Sequence, residues 1–74
     1  MLNDLYHKFT DHFPGYLFGY RVHELYLRLS VQDKQTGRAK METVNLEATE
    51  PELKLAWYKL LKELGYEDKT SQGG

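Results

Sequence analysis

Between Leu25 and Val31 every second residue is apolar: Leu25, Leu27, Leu29 and Val31 alternate with Tyr26, Arg28, Ser30 and Gln32. A period of two marks a strand with one buried and one open face, and no helix face could collect these four residues. Asp33-Lys34-Gln35-Thr36-Gly37-Arg38 follows, with Gly37 placed for a left-handed turn residue. A return strand over about 38–46 completes an antiparallel hairpin. Closing the turn between Asp33 and Arg38 pairs Leu29 with Glu42, Leu27 with Val44 and Leu25 with Leu46. Opposed residues share a face, so Val44 and Leu46 join the leucines; a one-residue slip would oppose Leu27 to Thr43 instead.

The residues before the hairpin fit two descriptions. Tyr16, Leu17, Phe18, Tyr20 and Val22 are strand-like in type, and Gly19 interrupts them. They form either a separate short strand or a backward extension of the first one. We favour the extension, a long bent strand over about 20–32. Carried back from Leu25, the alternation puts Tyr20 on the open face with Tyr26, Arg28 and Met41. It also puts Arg21 and His23 on the buried side, so the face must switch or the strand must leave the core near Gly19.

Helices flank the hairpin. Over 2–13, Leu2, Leu5, Tyr6, Phe9 and Phe13 form one stripe at helical spacing, and Pro14-Gly15 ends it. Over 50–64 the stripe is Leu53, Ala56, Trp57, Leu60, Leu61 and Leu64. Thr49-Glu50-Pro51-Glu52 supplies a capping box with Pro in the first turn, and Gly65 a C-terminal cap. Leu55 and Tyr58 fall outside this stripe. The expected fold is α+β, a small α-β-β-α domain with both helices on one face of the hairpin. One compact domain covers 1–66, and 67–74 is a flexible polar tail ending in Gly73-Gly74.

A chain of 74 residues buries a modest core, and without cysteine it has no disulfide and no thiol chemistry. Lys and Arg number 10 against 11 Asp and Glu, so no general field favours nucleic acid or membrane. Neither a signal segment nor an apolar run of spanning length is seen, so the expectation is a cytoplasmic protein that binds no membrane.

Catalytic patterns are missing. Asp4, His7 and Asp11 share a helix face at metal-ligand spacing, but three exposed groups without a fourth make a weak site and describe a solvated face better. His23 and Glu24 are neighbours on a strand and point apart. No phosphate loop or nucleophile elbow occurs. The expectation is therefore no enzyme, no cofactor and no metal.

Binding has more support. Tyr20, Tyr26, Arg28, Met41, Leu55 and Tyr58 are surface candidates of the types enriched at protein interfaces. They suggest a protein-interaction module, a regulator or inhibitor that occupies a partner's surface. Nucleic acid is the second reading, through Arg21, Arg28, Lys34, Arg38 and Lys40 interleaved with aromatics. Strand, Asp-x-x-Thr-Gly-Arg turn, strand and helix loosely resemble the arm-binding domains of some phage integrases. The helix–sheet–helix order loosely resembles double-stranded-RNA-binding domains. Both have three strands. The first is also markedly basic, and the second carries basic residues where this chain has Glu50-Pro51-Glu52, so no family is assigned. A two-stranded sheet leaves two edges open, and the first strand has only Arg28 as a charge; a homodimer through that edge is a further expectation.

Overall fold

In a computed structural model that describes residues 2–66, the elements run α1 (Leu2–His12), β1 (Tyr16–Val22), β2 (Leu27–Asp33), β3 (Ala39–Val44) and α2 (Glu50–Glu63). The class is α+β. The sheet is antiparallel in the order β1-β2-β3, and both helices pack on one side of it. The tail 67–74 lies outside the described residues.

The β2–β3 hairpin has the register expected from the leucines, with Leu27 opposite Val44 and Leu29 opposite Glu42. Gly37 takes φ +78°, and its N–H donates to the Asp33 carbonyl at 2.8 Å. The Asp33 carboxylate accepts the Gln35 N–H at 2.8 Å, which braces the turn from its first residue.

The segment 16–22 differs from expectation. It does not extend the first strand backwards. It folds back as a strand of its own, with Val22 opposite Leu27 and Tyr16 opposite Asp33. The reversal falls at Glu24-Leu25, where the His23 N–H donates to the Tyr26 carbonyl at 2.9 Å. That turn contains no glycine, and among the described residues no non-glycine residue has positive φ. The pair Leu25–Leu46 therefore does not form, and Leu25 stands 86% exposed at the hairpin tip. β2 becomes the central strand, so the edge expected to be open is covered. One departure from the order of double-stranded-RNA-binding domains, the missing strand, disappears with it; the acids at the start of the last helix remain.

Gly19 has a packing role in this arrangement. It sits opposite Ser30, and a Cβ placed there would come within 2.7 Å of the Ser30 Oγ. A side chain at 19 would require Ser30 to rotate away. The glycine thus makes room for the Ser30 hydroxyl across the strand pair and does not mark a bend.

α1 lies over β1, and α2 lies across β2 and β3. Leu29, Val31, Trp57 and Leu61 are fully buried between the layers. Aromatic rings fill the space beneath α1: Phe9 lies 5.1 Å from Trp57 and 5.3 Å from Phe18, centroid to centroid. α2 begins as expected. The Glu52 carboxylate accepts the Thr49 N–H at 3.0 Å and its hydroxyl at 2.9 Å. Those bonds hold its carboxyl below the usual glutamate range, the backbone one most strongly. At the other end Gly65, with φ +97°, lets the Tyr66 N–H reach the Leu61 carbonyl at 3.0 Å.

Candidate binding surface

The helices cover one face of the sheet and leave the other to solvent. Register decides what stands there. On β2 the helix side takes Leu27, Leu29 and Val31, so Arg28, Ser30 and Gln32 point to the open side. Their partners follow. Arg21, Arg28 and Thr43 make one row across the three strands; Gly19, Ser30 and Met41 make the next; Leu17, Gln32 and Ala39 make the third. Glycine and serine keep the middle of the face low, with Met41 and Leu17 exposed to either side.

Two arginines stand directly opposite each other on this face. Like charges so placed destabilise a strand pair. Acid nearby would offset this, but none of the open-face positions of the three rows is acidic. The ion pairs found among the described residues lie elsewhere: Lys54 with Glu50 on α2, and Lys59 of α2 with Glu42 of β3 at 2.9 Å. The Glu42 carboxylate raises the Lys59 ammonium above its ordinary value, first through the hydrogen bond and then through its charge.

Next to the arginine row lies an aromatic pair. His23 and Tyr26 stack at 4.4 Å with planes 24° apart, and the Arg28 Nη2 lies 3.5 Å from the Tyr26 hydroxyl. The His23 Nε2 is buried without a partner among the described residues. The stack forms because the tight Glu24-Leu25 turn brings residues 23 and 26 opposite each other.

The candidate partner-binding residues do not all come together. Tyr26, Arg28 and Met41 belong to the open face. Tyr20 does not: it pairs with Leu29 and so points to the helix side, where its ring meets Tyr6 of α1 at 5.6 Å. Its placement on the open face is thus corrected, because the strand that carries it is paired and not continuous with β2. Leu55 and Tyr58 lie on α2, on the other side of the molecule. Leu55 is 69% exposed. Tyr58 is half-engaged, its ring 5.1 Å from Phe9 in a shallow groove between the two helices.

The basic residues also divide. Arg21 and Arg28 share the open face. Lys34 and Arg38 lie at the β2–β3 turn, at the end away from the aromatic stack. Lys40 pairs with Val31 and so belongs to the helix side, exposed at the sheet edge. Among the described residues no three His, Asp or Glu side chains gather as a metal site, Asp4, His7 and Asp11 included. No described helix is long and apolar enough to cross a membrane. The juxtaposition missed from sequence is Arg21 with Arg28, since it depends on pairing β1 with β2.

No family model, curated protein or solved structure matches the chain.

Proposed function

We propose that this chain is a non-enzymatic interaction module that docks a partner protein on the open face of its sheet and regulates or inhibits that partner by occupying its surface. One observation carries the reading: Arg21 and Arg28 are opposed on a face without acid. Such a pair costs the free domain stability and is offset when carboxylates from a partner approach. Met41, Leu17 and Tyr26 supply apolar and aromatic contact around that charge, a composition typical of interface centres. The proposal keeps the cytosolic setting expected from the sequence.

The aromatic stack favours one second reading. Tyr26 on His23, with Arg28 alongside, is the kind of set on which single-stranded nucleic acid stacks. A duplex reading through α2 meets Glu50 and Glu52 at the start of that helix, where phosphate would be repelled.

Retention from native-host lysate tests the proposal. The immobilised wild type is expected to hold a defined protein, also after nuclease treatment. Arg21→Glu/Arg28→Glu loses it, and Leu55→Ser on the opposite side keeps it. Loss on nuclease treatment, with binding of a labelled single strand that falls steeply with salt, transfers the face to the second reading. Equal retention by wild type and the double variant overturns the open face as the site.

A further inference from the structure

The free edge of β3 is built to receive another strand. The Asp33 N–H donates to the Arg38 carbonyl at 2.8 Å, so alternate residues from there, Lys40, Glu42 and Val44, turn their backbone groups towards β2. The N–H and C=O groups of Ala39, Met41 and Thr43 therefore point away from the sheet. α2 overhangs this edge. A groove of about 270 Å³ between strand and helix is lined by Glu42, Val44, Ala48, Leu55 and Lys59 among others. Leu55, the apolar residue that the helix pattern leaves unexplained, stands in it largely uncovered. On the opposite face Met41 is 63% exposed beside the same edge. An added strand would satisfy the outward backbone groups and cover both side chains.

We propose that a second copy of this chain occupies the edge, its β3 running antiparallel about a two-fold axis through Met41. Charge selects both occupant and register. The outward groups belong to odd-numbered residues, so a symmetric pairing must centre on a single residue. Centring on Lys40 or on Glu42 opposes a charge to itself. Centring on Thr43 leaves both charges facing apolar residues. Centring on Met41 sets Lys40 of each copy against Glu42 of the other, twice over. The β1 edge offers nothing comparable, since Arg21 is its only charged residue. The product is a six-stranded sheet with both open faces on one side, so the two arginine pairs lie on one continuous surface. The dimer requires no ligand and stands apart from the open-face reading.

Sedimentation equilibrium on the purified chain tests this. The wild type is expected at twice the 8.7 kDa chain mass at high micromolar concentration. Lys40→Glu places acid at both positions and Glu42→Lys places base at both, so each alone opposes like charges and associates about tenfold more weakly. Mixed in equal amounts, every Glu meets a Lys, and a 1:1 heterodimer forms. Met41→Pro removes an N–H that points outward, so circular dichroism stays native while the dimer is lost. This variant and Lys40→Glu leave the Glu42–Lys59 pair intact and carry the test if Glu42→Lys fails to fold. A folded wild type that stays monomeric throughout a dilution series overturns the proposal. So does dimerisation of Met41→Pro, or a mixture that associates no better than its parts.

Discussion

Trp57→Ala leaves the domain about 3–5 kcal/mol less stable, which urea unfolding followed by circular dichroism will measure. A chain of 74 residues holds only roughly 4–11 kcal/mol, so the loss is a large share of the total. The size of the effect follows from position. Trp57 is fully buried, with Phe9 and Phe18 against its ring and β2 beneath its helix. Alanine leaves a cavity among these side chains, which surrounding structure closes only in part. Its indole N–H has no partner among the described residues, so Trp57→Phe removes volume but also a desolvated donor and loses far less. A native fluorescence maximum typical of exposed tryptophan would contradict this placement.

Phe9→Ala has an effect of the same order, about 3–5 kcal/mol, through a different joint. Phe9 is where α1 meets the rest of the protein. Its ring touches Phe13 of its own turn, Phe18 of β1, and both Trp57 and Tyr58 of α2. Removing it loosens α1 first. Because Phe9 and Trp57 are in contact, their losses are not additive. A double-mutant cycle is expected to show coupling of about 0.5–1.5 kcal/mol, the range for tilted aromatic pairs. Additive losses would mean that the two rings do not share a contact.

What the sequence shows plainly is local. Alternation at Leu27, Leu29 and Val31 gives the central strand and its buried face. Gly37 and Gly65 mark the two positions among the described residues where the backbone turns left-handed. Thr49 and Glu52 mark the start of α2. The third strand was hidden for two physical reasons. Its turn, Glu24-Leu25, uses neither glycine, proline, asparagine nor aspartate, and it closes without a left-handed residue. Gly19 resembles an interruption because the residue whose side chain it makes room for, Ser30, lies eleven residues along the chain.

One missed strand accounts for the errors in the site. With Tyr16–Val22 treated as an extension, Tyr20 lands on the open face and Arg21 beneath it; pairing with β2 exchanges them. Arg28 and Met41 are legible because they depend only on the hairpin. Leu55 is visible as an exception to the helical stripe, but only the edge of β3 beside it explains why an apolar residue stands there.

The central claim is that the open face keeps an arginine pair for a partner, at a cost in stability. The thermal melt of Arg21→Thr against wild type at low salt tests it most directly. Threonine suits a strand and ends the opposition to Arg28. The account predicts a midpoint higher by about 1–8 °C, a gain that shrinks as salt screens the wild-type repulsion, together with loss of partner retention. A lower midpoint with retention unchanged would contradict it: Arg21 would then be stabilising the sheet and serving no partner.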